Sequence, residues 1–304
     1  MSEEAPQPDP AGPDRLAAFE EHRRMLFGIA YRMLGSVADA EDLVQDSWLR
    51  WSQVTTRVDN PGAFLARTVT NLALNRLGSA AVQREAYVGP WLPEPLVTAP
   101  DTAEEVEMAE SVSYAVLVVL ESLSPLERAV FVLKEVFGFS YPEIGEALER
   151  SEASVRQVGH RAKSHVQARR PRFDAPAEVR RRVTNEFLAA CLGGDLNRML
   201  ELLAPSVTAW SDGGGRVKAA IRPIDGADKV ARFLLGVLAN DPLEDLRVYE
   251  VDVNGRPGLL IDAAGRVDSV VVLEIEDGRI GELRILRNPD KLTHLRPGGP
   301  SGPA

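Results

Sequence analysis

The chain of 304 residues has one cysteine, Cys191, four histidines and, among 35 basic residues, only five lysines. A single cysteine excludes a disulfide framework and a cysteine-built metal site. The scarcity of lysine beside arginine reflects a GC-rich genome more than a function. No stretch approaches the ~20 consecutive apolar residues of a membrane span, so no membrane role is expected. The N-terminus, MSEEAPQPDPAGPD, lacks the basic start and apolar run of a secretory signal. Its acidic, proline-rich composition predicts a disordered tail over 1–13, and the chain is expected in the cytoplasm. A net charge of −10 excludes a protein that coats nucleic acid without specificity. What remains is an ordinary soluble composition, long enough for two or three domains.

The charge that is present is segregated. Glu149 to Arg172 holds seven basic residues against two acidic, whereas Asp39, Glu41, Asp42 and Asp46 form an acidic cluster with no lysine or arginine among them. Patches of opposite sign predict separate partners.

Residues 14–80 read as helices. Leu26, Ile29, Ala30 and Met33 recur as one buried helical face, and Leu43, Val44, Ser47, Trp48 and Trp51 resume the pattern after Gly35-Ser36. Asn60-Pro61 starts a third helix. A connector over 81–105 then carries an oddity, WLPEP (91–95). Its prolines deny a helix and hold the backbone extended, so Trp91 and Leu92 project at a fixed place in what should be a polar spacer.

A second helical block spans 106–172. Ser124-Pro125-Leu126-Glu127 and Ser140-Tyr141-Pro142-Glu143 are capping boxes. The helix from the second box ends near Leu148, and Ser151 caps a strongly basic successor. Two short helices joined by so tight a turn describe a helix-turn-helix. An ordinary helix corner with a solvated basic face is the alternative. Glu149 stands where the turn favours glycine, so a left-handed backbone there would cost roughly 1 kcal/mol.

Composition changes after Arg172. Helices over 176–192 and from Asp195 precede strand-like runs at 207–211, 216–222, 246–253, 267–275 and 280–287, with an amphipathic helix over 228–239 among them. This order predicts an α+β domain over 176–296 with a curved antiparallel sheet, then a short tail over 297–304.

The segments DAEDLVQDSWLRWSQV (39–54), NPGAFLARTVTNLALNRL (60–77) and LSPLERAVFVLKEVFGFSYPEIGEALERSEASVRQVGHRAKSHV (123–166) resemble an extracytoplasmic-function sigma factor. Such proteins are two-domain initiation subunits of bacterial RNA polymerase. The segments follow regions 2 and 4 of that family in order and spacing, with no region 3 between them. WLPEP, DGGGR (212–216) and NPDKL (288–292) resemble the signature motifs of the SigJ-like subgroup, which ends in a SnoaL-like domain. The fold this implies is multidomain. Two all-α domains, region 2 over 14–80 and region 4 over 106–172, precede an α+β SnoaL/NTF2-like cone.

The resemblance also implies roles. Asp39, Glu41, Asp42, Gln45, Asp46 and Trp48 would meet the β′ clamp of core RNA polymerase; read alone, the acids simply suit a helix N-terminus. Arg67, Asn71, Asn75 and Arg76 would read and open the −10 element of promoter DNA, although LGSAAVQREAYV (77–88) offers only Arg84 as a base. Arg150, Arg156, Gln157, His160, Arg161 and Lys163 would read the −35 element, with region 4 on the β flap. Regulatory contacts within the chain would join Trp91, Leu92, Pro93 and Glu94 to Asp212, Gly213, Gly214, Gly215 and Arg216, and to Asn288, Pro289, Asp290, Lys291 and Leu292. Trp91 and Pro93 are expected against the glycine turn, with Glu94 near Arg216.

No catalytic residue, cofactor or metal is expected. The histidines are His22, His160, His165 and His294, none within the strands of the cone. DGGGR lacks the Lys-Ser/Thr of a phosphate loop. A small-molecule ligand in the cone stays open. Two rivals stand beside the sigma reading: a DNA-binding regulator with a ligand-sensing domain, and a SnoaL-type enzyme fused to a DNA-binding region.

Overall fold

The stripe Leu26, Ile29, Ala30 and Met33 is wholly buried on helix α1 (Pro13–Leu34). Gly35, at φ 69°, ends that helix, and Ser36 caps α2 (Val37–Ser52) by accepting the Asp39 N–H at 3.2 Å. The computed structural model describes residues 13–98, 113–169, 175–240 and 245–298. Nearly all of the expected N-terminal tail lies outside these residues, as do 99–112 of the connector and the start of region 4, Arg170, Arg172, 299–304 and the side chain of Arg84. Contacts divide the chain into two units, Met1–Val82 with Leu120–Ala168, and Gln83–Val119 with Arg169–Ala304.

In the first unit, Asn60 caps α3 (Pro61–Glu85) through Ala63 N–H at 3.0 Å. This helix runs past its expected end at 80. Helix α4 (Tyr114–Leu120), counted with the second unit through Val119, leads to α5 (Pro125–Phe131), which continues through a π-helical turn, Val132–Val136. Both capping boxes form, the second opening α6 (Tyr141–Ala147). Glu149 takes φ 54° before α7 (Glu152–Arg169) begins. Arg128, buried, donates to Met33 O at 2.7 Å and pairs with Glu121 at 2.8 Å. It thereby satisfies one of the carbonyls that the end of α1 leaves unpaired.

The second unit is an α+β cone. Helices α8 (Ala177–Gly193), α9 (Leu196–Leu202) and α10 (Ala227–Asn240) pack on a seven-stranded sheet in the order β1-β4-β5-β6-β7-β2-β3. The strands are β1 (Val97–Thr98), β2 (Leu203–Asp212), β3 (Ile224–Asp225), β4 (Arg247–Val253), β5 (Arg256–Ala263), β6 (Arg266–Glu276) and β7 (Arg279–Leu286). The sheet is mixed rather than antiparallel throughout, because β2 runs parallel to β7. The strand expected over 216–222 does not form. The edge of β2 is met instead by Ile224 and Asp225, and Lys218 gives its carbonyl to the Arg287 side chain. Strand β5 was not foreseen, because Pro257 and Gly258 stand at its start.

Alternate residues of the strands build two cores. On the concave face Leu259, Val271, Leu273, Leu283 and Ile285 meet Phe187 and Met199 from the helices. On the outer face Val251, Leu260, Val270 and Leu286 meet Leu92, Tyr114 and Leu292. The described part of the connector therefore belongs with this unit: its Leu92 is core and its Val97–Thr98 form the edge strand β1, with Val97 opposite Val253. Among the described residues no helix is long and apolar enough to cross a membrane.

Candidate functional site

Asp212 closes β2 and is fully buried. Its Oδ1 accepts from the Tyr87 hydroxyl at 2.5 Å and from Gly214 N–H at 3.1 Å. Its Oδ2 accepts from Leu92 N–H at 2.8 Å and from Lys291 Nζ at 2.7 Å. Its carbonyl receives the N–H groups of Arg287 at 2.7 Å and Asn288 at 2.9 Å. Lys291 donates again to Leu92 O at 2.5 Å and lies 4.0 Å from the centre of the Trp91 ring. One carboxylate and one ammonium thus join all three signature motifs in a clasp of zero net charge. That balance matters, because either charge left alone in such a place would be strongly unfavourable.

The clasp has a second ring of support. Burial, then the bond to Asp212, pushes the Tyr87 phenol well above its ordinary pKa, so it remains a donor. Asn288 Nδ2 donates to the Tyr87 oxygen at 2.8 Å. Tyr114 donates to Pro93 O at 2.6 Å, and His294 Nε2 lies 2.8 Å from Pro95 O, a contact that requires its proton on Nε2. Asn254 brackets Leu96, accepting its N–H at 3.1 Å and donating to its carbonyl at 2.8 Å.

Two details differ from expectation. The glycine turn is approached by Tyr87 and Val88, whereas Trp91 lies against Lys291 of NPDKL. Arg216, exposed, pairs with Asp290 at 3.1 Å rather than with Glu94, which is buried. The glycines are required for this approach. At Gly214, φ is 57°, and a Cβ would overlap the Asn288 amide and the Tyr87 hydroxyl. Gly214→Ala should therefore cost about 2–4 kcal/mol, strain and overlap together. Thermal denaturation checks this: an unchanged melting temperature would show that the turn does not need glycine.

The first unit carries the polar faces. On α2, Glu41, Asp42, Gln45 and Asp46 are exposed, and so is Leu49, a residue the sequence reading passed over. Trp51 is the core tryptophan; Trp48 is half-buried and packs edge-on against Phe19 at 5.1 Å. Asp39 is partly withdrawn from this face. It receives Arg76 Nε at 3.0 Å and Nη2 at 2.5 Å, which raises the Arg76 pKa. Arg67 pairs with Glu149 at 2.8 Å, and Asn71 Nδ2 reaches Ala147 O at 3.4 Å. Three of the four residues expected on the −10 element are thus engaged within the unit; Asn75 is exposed.

On α7, Val155, Val158, Ala162 and Val166 are buried, so Arg156, Gln157, His160, Arg161 and Lys163 stand outward. Arg150 is exposed in the turn before them. Glu152, Ala153, Arg156, Gln157, His160 and Arg161 line one shallow depression. Arg156 pairs with Glu152 and lies over the Tyr141 ring at 5.1 Å. Lys163 pairs with Glu135 at 2.8 Å, and Arg161 lies 3.7 Å from Glu127. Gly145 sets the turn's tightness, since a Cβ there would come within 2.8 Å of Arg150 O.

Residues 18–82 match the family Sigma-70 region 2, and residues 113–166 match Sigma-70, region 4. The chain is 38% identical over 290 residues to the ECF RNA polymerase sigma factor SigJ of Mycobacterium tuberculosis, covering 91% of this chain and 93% of the relative. It is 31% identical over 284 residues to the probable ECF RNA polymerase sigma factor SigI of the same species, covering 92% and 95%. The crystal structure of the M. tuberculosis extracytoplasmic function sigma factor SigJ matches with a TM-score of 0.73 and 34% identity, over 91% of this chain and 98% of that one. With both sigma regions matched and a relative 38% identical over 91% of its length, the chain belongs to the extracytoplasmic-function family of RNA polymerase sigma factors.

Proposed function

We propose that this sigma factor holds core RNA polymerase through the exposed face of α2, opens the −10 element with α3, reads the −35 element with α7, and is restrained in cis by its cone. The observation that carries the last step is the Asp212–Lys291 clasp, which fastens the connector to the cone. Glu41, Asp42, Gln45, Asp46 and Leu49 offer an acidic surface with one exposed leucine, suited to a basic clamp. Arg67 and Asn71 are tied to the turn at Ala147 and Glu149, so the −10 face and the −35 reader occupy each other in this arrangement. Promoter recognition then draws on a second arrangement in which they part, and whatever biases that equilibrium regulates the factor.

The work is cytoplasmic, where the polymerase is. In this reading the cone acts by binding rather than by catalysis; the acid of its cavity, Asp268, is already engaged by Arg287 at 3.1 Å.

Arg156→Ala tests the assignment of α7. Loss of one base-reading contact is worth about 1–3 kcal/mol, so transcription from a cognate promoter should fall about tenfold. Core binding should not change. Undiminished transcription would remove Arg156 from the reading surface.

A further inference from the structure

A cavity of about 540 Å³ lies between the concave face of the sheet and helices α8 and α10. Strand register builds its floor. Ser211 stands opposite Ile285, Ile285 opposite Val271, Val271 opposite Leu259, and Ser269 opposite Ile261, which places all six on one face. Phe187, Phe233 and Val237 close the helical side. The volume and the apolar lining are those of a small-molecule site.

The one carboxylate among the described residues lining this cavity is placed by an irregularity of the sheet. Between Ile261 and Asp262 the register of β5 against β6 shifts, so that Ile261 faces Ser269 but Asp262 faces Val267. Asp268 is the extra residue of a β-bulge, which turns its carboxylate toward the cavity instead of the opposite face. There it meets Arg287, Nε to Oδ2 at 3.3 Å and Nη2 to Oδ1 at 3.1 Å. Arg287 also donates from Nη1 to Lys218 O at 3.2 Å. Its own backbone N–H is held by Asp212 O at 2.7 Å, and its neighbour Asn288 holds Tyr87. The residue that shapes the cavity's polar corner is therefore bonded to the clasp.

We propose that the cone binds an uncharged, mostly apolar small molecule, whose one or two hydroxyl or carbonyl groups meet Ser211, Ser269 and the Asp268–Arg287 pair, and that Arg287 couples its occupancy to the clasp. The ligand is uncharged because Asp268 and Arg287 already neutralise each other, with side chains only 12% and 14% exposed. Of the other charged residues described in the lining, Arg232 is paired with Asp228 and Lys218 is exposed to solvent. An added charge would stand uncompensated among apolar walls. The coupling rests on the clasp being the regulatory joint, as proposed above; the binding does not.

Nile red, an uncharged solvatochromic dye with a carbonyl, serves as the probe on the full chain, with anionic anilinonaphthalene sulfonate as the charged comparison. Gly236 lines the cavity, and a Cβ there meets no atom within 4 Å, so Gly236→Trp fills the space without a backbone clash. Replacing a helical glycine also favours the helix. Nile red should bind saturably at one site with blue-shifted emission, and Gly236→Trp should weaken it at least about tenfold. Stronger binding of the sulfonate, or undiminished dye binding by a folded Gly236→Trp protein, overturns the assignment. Saturating dye should change hydrogen exchange of the Leu92 amide by about fivefold or more, and Lys291→Met should shift dye affinity by a like factor, as linkage requires. Dye that binds in the cavity but leaves Leu92 exchange unmoved overturns the coupling. Because neither readout involves polymerase or DNA, failure here is distinct from failure of the sigma reading.

Discussion

Lys291→Met should lower the melting temperature of the C-terminal unit by roughly 6–12 °C. The loss follows from the charge it leaves behind. Asp212 has no exposed surface, and Lys291 is its cationic partner at 2.7 Å. Removing one member of a buried pair typically costs about 3–5 kcal/mol, mostly because the other remains charged and uncompensated. The low end applies, since Tyr87, Leu92 and Gly214 still donate to the carboxylate. For a domain of this size about 3 kcal/mol corresponds to the stated shift. Methionine keeps most of the volume of the stem, so packing is not the main loss. Adding Asp212→Asn should restore part of the stability, because the buried charge goes with it, although Leu92 N–H then lacks its acceptor. The Leu92 amide should exchange about 100-fold faster in the single variant. A variant that melts with the wild type would mean that the pair does not close the clasp.

Reversing the charge of Glu41, Asp42 and Asp46 together to lysine should weaken association with core RNA polymerase by at least about 100-fold, a few kcal/mol of like-charge repulsion replacing attraction. All three side chains are exposed, and Leu43, Val44 and Trp51 hold α2 in the core from its other face. The melting temperature should therefore move little. Asp42 lies 3.6 Å from Arg76, an exposed contact worth little on its own. Binding by the wild type should also weaken with salt, as an exposed electrostatic interface does. Equal affinity of wild type and variant would favour a DNA-binding regulator that does not use this face for polymerase.

Much of this was legible in the residues. The stripe on α1, the Asn60 cap and both capping boxes are local signals, and each formed as read. The strained turn was legible too, since Glu149 stands where glycine is favoured and takes φ 54°. What escaped depends on distant partners. Tyr87 precedes Gly89-Pro90 in a polar connector, with no periodicity to mark it as the donor to Asp212. The parallel pairing of β2 with β7 joins segments some 75 residues apart, and hairpin signals see only neighbours. Asn254-Gly255 announces the turn before β5, but Pro257 and Gly258 read as breakers; Pro257 is accommodated opposite Asp252. The bulge at Asp268 has no signature in composition at all. Arg67, Asn71 and Arg76 were read as a free face because their spacing shows which residues share a side, not what that side meets.

Leu92 and β1 of the connector, with Tyr114 of α4, are part of the cone's core, so cutting the chain near Arg172 would leave these residues without their packing partners as well as remove the cone. The direct test keeps the chain whole. Run-off transcription with core polymerase on a genomic promoter pool would compare the wild type with Lys291→Met, below the melting point of both. Both proteins should initiate at the same promoters, and the unclasped variant should yield about fivefold or more transcript per polymerase, the lower range of regulatory coupling energies. Initiation by neither protein would contradict the reading of the chain's activity; equal yields would contradict restraint by the clasp.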